Sequence, residues 1–142
     1  MERPSLDEYY IDIAKAVSER STCLKKHYGA VIVNNGELVS SGYNNPPRGE
    51  PHCLTCNKKN CGKDMSTFLD CRSVHAEMNC IISASRREML GATLYLYGYD
   101  VELGKDAEVV KPCEICARLI KNSGITRVYT SSGLEFLYNN NK

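Results

Sequence analysis

Two short strings place histidine, cysteine and carboxylate side chains in a fixed order along the chain. They are His75-Ala76-Glu77 and Pro112-Cys113-Glu114-Ile115-Cys116. His75 can offer a neutral imidazole, and Cys113 and Cys116 can offer thiolates. A zinc ion with three protein ligands keeps its fourth tetrahedral position for water, which distinguishes a catalytic site from a closed structural site. The strings therefore predict one hydrolytic zinc held by these three residues. Glu77 then lies close enough to move protons without binding the metal.

The two strings resemble the H-x-E and P-C-x-x-C signature of zinc-dependent deaminases. Further segments resemble the deoxycytidylate (dCMP) deaminases of bacteria and phages, in the cytidine and deoxycytidylate deaminase family. These segments are Met1–Ser5, Arg20–Cys23, Gly29–Val33, Gly42–Asn44 and Cys71–Asn79. The resemblance covers most of the chain, to about Thr130. It implies a cytidine deaminase fold, a zinc-bound hydroxide and hydrolysis of dCMP to dUMP and ammonia, which would supply dUMP for thymidylate synthesis.

Composition sets limits on the class of protein. A chain of 142 residues with 42% hydrophobic residues fits one domain, spanning 1–142. The net charge of +1, from 18 basic and 17 acidic residues, provides no basic field for nucleic acid. The sequence contains no apolar run long enough for a membrane span and no signal peptide, so we expect no membrane partner and a cytoplasmic location.

Hydrophobic periodicity and turn residues predict an α/β fold, with a mixed sheet sandwiched by helices. The predicted helices begin after a capping box at Ser5, after a cap at Ser73 and at Pro112, and the second runs to about Arg87. A short helix is predicted at Leu134–Tyr138 in the tail, 131–142. The predicted strands are Gly29–Val33, Leu38–Tyr43, Thr93–Tyr97 and Arg127–Thr130. Leu6, Tyr10, Ile13, Ala14 and Val17 form the buried face of the first helix. The connections at 44–72 and 98–111 show no periodicity.

Both proposed ligand sets would lie at helix N-termini, where the helix dipole favours thiolates and a metal-bound hydroxide. Cys113 and Cys116 are three residues apart and so face the same side of their helix. A Cys-x-x-Cys pair is also typical of a redox dithiol. That interpretation leaves the His75–Glu77 string without a role.

A second group of cysteines lies outside the periodic segments, with His52 beside it. It consists of Cys23, Cys53, Cys56, Cys61 and Cys71. Four thiolates form a closed tetrahedral site that can order a loop. Several members of the resembled family carry a second, structural zinc in this region, and matching by position favours Cys23, Cys53 and Cys71, with Cys61 as the fourth ligand. Cys56 or His52 could replace Cys61, and free thiols in a loop remain the alternative.

The resemblance also suggests substrate contacts. It implies that Asn44 contacts the sugar or phosphate and that Arg20 and Ser21 line the phosphate end, with Ala76 and Tyr129 as further candidates. Four of them have a plainer interpretation: Asn44 could be a turn residue, Arg20 and Ser21 a solvated helix end, and Tyr129 part of the core.

Two departures from the family pattern leave the details of the function open. Asn45 replaces a glycine that has been associated with feedback control in relatives, which leaves regulation by dCTP and dTTP in doubt. The insertion at 98–111 would border the active site and could change which base or sugar fits. The alternatives are a deaminase of another base, nucleoside or tRNA adenosine, and a non-catalytic zinc-stabilised nucleotide-binding module. Relatives build the pocket between subunits, so we expect a homo-oligomer, often a hexamer in the family.

Overall fold

The computed structural model describes residues 2–56 and 71–139, which form a mixed sheet with helices on both faces. In chain order the elements are α1 (Leu6–Ser18), β1 (Lys26–Asn34), β2 (Glu37–Tyr43), α2 (Ala76–Ile82), α3 (Arg86–Met89), β3 (Thr93–Asp100), β4 (Lys105–Asp106), α4 (Glu114–Ser123), β5 (Arg127–Thr130) and β6 (Glu135–Leu137). The sheet order is β2-β1-β3-β5-β6, with β4 on β3. Only β3 and β5 pair in parallel among these strands. The predicted α/β class is confirmed.

The first helix covers one face of the sheet. Ser5 and Glu8 form the predicted capping box at its start. Tyr10 and Ala14 are buried and pack in one cluster with Tyr95 and Tyr97 of β3. Leu6 was predicted on this buried face but is 66% exposed, so the buried face of α1 is shorter than predicted. This face is therefore a core that is separate from the ligand-bearing helices.

The opposite face carries α2 and α4, which bring the two ligand strings together. Ala76 and Cys80 of α2 and Ile120 of α4 belong to one buried cluster with Leu94 and Leu96 of β3. The contact between α2 and β2 is very close at one point. A Cβ placed on Gly42 would lie 2.5 Å from the Ala76 carbonyl oxygen and 2.6 Å from the Cys80 nitrogen. The first turn of α2 is therefore fixed against the sheet by a residue without a side chain.

The second helix differs from its prediction at both ends. It begins at Ala76 with His75 as N-cap, and the Ser73 hydroxyl donates to the Val74 carbonyl instead of capping. The cause is an isolated bridge between Val74 and Asn45, which keeps the chain extended up to His75. The helix also ends at Ile82, and α3 begins anew with its own capping box at Ser85.

Two other segments form strands that the sequence analysis did not predict. The tail segment predicted as a helix at Leu134–Tyr138 is strand β6, which pairs with β5 after a turn at Gly133 with φ 85°. The segment 98–111 is partly regular, because β3 continues to Asp100 and pairs with β4. In both cases the ordering contact comes from a neighbouring strand. No helix in the described ranges is long and apolar enough to cross a membrane.

Candidate metal and substrate site

The N-terminal ends of α2 and α4 carry the candidate ligands, as predicted. His75 is the N-cap of α2, with φ −71° and ψ 156°. Cys113 is the N-cap of α4, and its Sγ accepts a hydrogen bond from the Cys116 backbone N–H at 3.4 Å. Partial positive charge at a helix N-terminus stabilises a thiolate. The local structure therefore favours the ionised form that zinc binds.

The three donor atoms have a spacing that suits a tetrahedral metal. Nδ1 of His75 lies 3.5 Å from Cys113 Sγ and 3.3 Å from Cys116 Sγ. All three donor atoms lie within 4.8 Å of one another. Zinc bonds of about 2.0–2.1 Å to nitrogen and about 2.3 Å to sulfur place tetrahedral donors roughly 3.5–3.8 Å apart. The residues present therefore fit zinc, and no other group of three such donors occurs within residues 2–56 and 71–139.

Glu77 is the carboxylate beside this donor set. Its side chain is 5% exposed, and it lines the same cavity as His75 and Cys113. Burial raises the pKa of Glu77, although a backbone hydrogen bond and the charge of His75 act in the opposite direction. The cavity thus holds a carboxyl group that is sheltered from bulk water and is not one of the three clustered donors.

The ligand side chains are also hydrogen-bonded to one another. A hydrogen bond from the Cys116 thiol, assisted by His75, lowers the pKa of Cys113 to about 4 despite burial. The pKa of Cys116 is raised by its hydrogen bond to Cys113 and by burial. Burial lowers the pKa of His75, but the hydrogen bond with Cys113 and the charge of Glu77 outweigh burial and raise it overall. Of the two thiols, Cys113 is thus the one that ionises more readily, and zinc binding would release the proton of Cys116.

A cavity of about 50 Å³ opens beside the ligands. Its lining residues are Cys23, Tyr28, Asn44, Cys71, Ser73, His75, Glu77, Leu96, Lys111 and Cys113. Asn44 lines the cavity and is hydrogen-bonded to the strand behind it. Its Nδ2 donates to the Lys26 carbonyl at 2.9 Å, and its Oδ1 accepts from the Tyr28 N–H at 2.8 Å. Its side-chain orientation is therefore fixed by the backbone of β1.

The other predicted substrate residues do not line this cavity. Ser21 is buried, and its hydroxyl donates to the Asn44 carbonyl at 2.7 Å. Arg20 lines a second cavity of about 360 Å³. Ala76 is buried against β2. Tyr129 packs edge-on against Tyr95 on the α1 face of the sheet, with ring centroids 6.1 Å apart, which agrees with the core interpretation.

Lys111 is a cavity residue that the sequence analysis did not single out. It lies directly before Pro112 and Cys113, at the end of the segment 98–111. Its position next to a ligand string is the signal that could have identified it. The segment 98–111 therefore borders the candidate site through its last residue.

Asn45 connects three segments of the chain through hydrogen bonds. Its backbone pairs with Val74, immediately before His75, through hydrogen bonds of 2.8 and 3.2 Å. Its side-chain oxygen accepts from the Thr22 N–H at 2.8 Å and from the Thr22 hydroxyl at 3.1 Å. The chain leading to His75 is thus held against the loop after α1.

The second cysteine group is only partly described. Cys23 and Cys71 both line the cavity, whereas Cys53 Sγ lies 3.5 Å from an Arg72 guanidinium nitrogen. Cys61 lies outside the described residues. Within those residues, Cys23, Cys53 and Cys71 do not form a group of three close donors, and neither do they with His52 or Cys56.

Comparisons with known proteins point to a zinc-binding deaminase family. The family model described as "Cytidine and deoxycytidylate deaminase zinc-binding region" matches residues 4–132. The deoxycytidylate deaminase of Mycobacterium phage D29 is 37% identical over 134 residues, covering 90% of this chain and 95% of that protein. The deoxycytidylate deaminase of Schizosaccharomyces pombe is 34% identical over 132 residues, covering 89% of this chain but only 37% of the yeast protein.

Solved structures with a similar fold have lower sequence identity. The dCMP deaminase of the cyanophage S-TIM5, in complex with dCMP and dUMP, has a TM-score of 0.65 at 23% identity, covering 92% of this chain and 83% of that chain. Cytidine deaminase of Burkholderia pseudomallei has a TM-score of 0.57 at 20% identity, covering 94% and 91%. These two structures support the fold. Because the family model and the phage relative each cover nearly all of the sequence, the chain belongs to the cytidine and deoxycytidylate deaminase family.

Proposed function

We propose that this chain hydrolyses dCMP to dUMP and ammonia with one catalytic zinc. The observation that carries the proposal is the set of three donors, His75, Cys113 and Cys116, beside the buried carboxyl of Glu77 in one cavity. Deoxycytidylate deaminase is the name of the phage relative that the chain covers nearly end to end. The choice of dCMP over other cytosine compounds follows that relative.

The chain's own residues would hold the metal and move the protons. When held by the three donors, zinc supplies a water whose pKa falls towards ~7. Glu77 would accept one proton from the water that attacks C4 of cytosine and deliver it to N3. It would then move the second proton to the amino group, which leaves as ammonia. General acid–base assistance of this kind contributes about 10²–10⁴-fold to the rate. Burial of Glu77 keeps these transfers away from bulk water.

Among the predicted substrate contacts, we propose that Asn44 is the residue that contacts the sugar. It lies at the cavity, and two backbone hydrogen bonds fix its amide there. Ala76 remains a candidate only through its main chain, since its methyl group is buried against β2. The positions of Arg20, Ser21 and Tyr129 do not support direct contact with a substrate in this cavity.

A substrate panel tests the function directly. Ammonia release would be measured with cytosine, cytidine, CMP, dCMP, dCTP and a tRNA, and we expect dCMP to give the highest kcat/KM. A tRNA adenosine substrate would need a basic binding surface, which a net charge of +1 does not indicate. A zinc-stabilised binding module would have no use for the carboxyl of Glu77. Ammonia from none of these compounds would reject the proposal.

We propose separately that Cys23, Cys53, Cys61 and Cys71 hold a second, structural zinc. The support is the number of cysteines in a proline-rich loop without periodicity. Thiolate ligands at either site need a reducing compartment, so a cytoplasmic location is part of this proposal.

We also propose that the chain works as a homo-oligomer. A site for a small ligand usually measures about 300–1,000 Å³, whereas the cavity encloses about 50 Å³. A second copy of the chain could complete the pocket around the sugar and phosphate. Light scattering with purified protein would detect the assembly, and a monomer at assay concentration with full activity would reject it.

A further inference from the structure

We infer that Lys111 binds the 5′-phosphate of the substrate and so makes the enzyme select nucleotides over nucleosides. The inference rests on the proposed deamination of dCMP and adds a specificity-determining residue to it. Two observations carry it: Lys111 lies at the rim of the cavity, and it provides the positive charge there.

The backbone on both sides of Lys111 is held in place, which fixes where its side chain begins. Val110 is fully buried, its N–H donates to the Ser132 hydroxyl at 2.9 Å, and its carbonyl accepts from that hydroxyl at 3.3 Å. On the other side, the ring of Pro112 restricts the chain just before the donor Cys113. Lys111 is therefore anchored beside the reaction site, although its side chain is exposed.

The charge of Lys111 is not used by a neighbouring carboxylate. Of the described residues that line the cavity, it is the single lysine or arginine. It makes no ion pair with any carboxylate in residues 2–56 and 71–139, and the nearby Lys105 and Glu108 pair with each other at 3.7 Å. A phosphate monoester carries about −1.5 to −2 charges near pH 7. An exposed ammonium group is a suitable partner for such a charge.

The size of the cavity places the phosphate at its rim. The cavity volume of about 50 Å³ is well below the ~300–1,000 Å³ of a site that surrounds a whole small ligand. The reacting end of the base can approach the donors there, but the sugar and phosphate must extend outwards. Arg20 lines a different cavity, and the Ser21 hydroxyl is bound to Asn44. Lys111 is thus the cation placed where an outward-pointing phosphate would lie.

The test compares dCMP with deoxycytidine in the wild-type protein and in Lys111→Met. A phosphate contact is made equally in the ground state and the transition state, so its loss should raise KM and leave kcat nearly unchanged. We expect kcat/KM for dCMP to fall about 10- to 100-fold, the effect of losing a hydrogen bond to a charged group. The values for deoxycytidine should stay within about twofold, and Lys111→Arg should recover most of the loss because it keeps the charge.

Arg20→Met is the matched control, because it removes an exposed cation that lines the other cavity. It should keep the wild-type ratio of dCMP to deoxycytidine. The inference is overturned if Lys111→Met keeps that ratio, if Arg20→Met alone abolishes it, or if the wild type uses deoxycytidine as well as dCMP. These outcomes leave deamination itself intact. Release of ammonia from neither compound by the wild type would overturn the proposed function and this inference with it.

Discussion

Replacing Gly42 with alanine should shift the helix that carries His75 and Glu77. The new Cβ would lie 2.5 Å from the Ala76 carbonyl oxygen and 2.6 Å from the Cys80 nitrogen, both backbone atoms of α2. Neither can rotate away, so α2 must move by several tenths of an ångström. Overpacking of a core typically costs ~1–3 kcal/mol. With an unfolding entropy of about 2.1 cal/mol/K per residue, a chain of 142 residues should lose roughly 3–10 °C in Tm.

The same shift should lower catalysis by the folded protein, because a displacement of about 1 Å can cost ~10²-fold in rate. Thermal unfolding and kcat would be measured on zinc-loaded protein, well below the Tm. Gly29→Ala is the control on the other face of the sheet, where the Cβ would meet the Ala14 carbonyl oxygen of α1 at 2.0 Å. It should destabilise at least as much while keeping more activity per folded molecule. An unchanged Tm and kcat in Gly42→Ala would refute the proposed contact.

Two further predictions concern stability and metal content. Arg127 donates a hydrogen bond to Asp7 and lowers the pKa of this carboxyl group. The ionised carboxylate therefore stabilises the fold fully above its unfolded pKa of about 3.9, and the stabilisation is lost as the pH falls through the lower folded pKa. Asp7→Asn should lower the free energy of unfolding by about 0.5–1 kcal/mol near pH 7 and leave it unchanged in strong acid. A loss of Tm that stays the same between pH 7 and pH 2 would contradict this prediction. Purified protein should hold close to two zinc ions per chain, and Cys71→Ala should destabilise more than Cys80→Ala; a single ion with Cys71 freely alkylated would reject the second site.

Sequence reasoning succeeded where the deciding interactions are local. The ligand strings lie at helix N-termini, and the three-residue spacing of Cys113 and Cys116 sets their common face without reference to the rest of the fold. The capping box at Ser5 is equally local. The two strings meet because α2 and α4 pack side by side on the sheet. The family resemblance implied this meeting through the shared zinc, whereas the spacing of the residues could not predict it.

The errors have non-local causes. Ser73 is a residue type that commonly caps helices, but Val74 pairs with Asn45, and the helix begins only at Ala76. The tail segment Glu135–Leu137 becomes a strand because β5 offers it a partner. The two interpretations of Tyr129 stayed open for the same reason: it faces α1 because of its register opposite Tyr95, and no local pattern reveals that register.

Turnover by zinc-loaded Glu77→Gln is the measurement that tests the central claim most directly. The amide keeps the size of the side chain and removes the group proposed to move protons, while the three clustered donors are unchanged. We predict that zinc at the site of His75, Cys113 and Cys116 stays at the wild-type level, and that ammonia release from dCMP falls at least ~10²-fold. Ammonia release near the wild-type rate by a metal-replete Glu77→Gln protein would contradict the account.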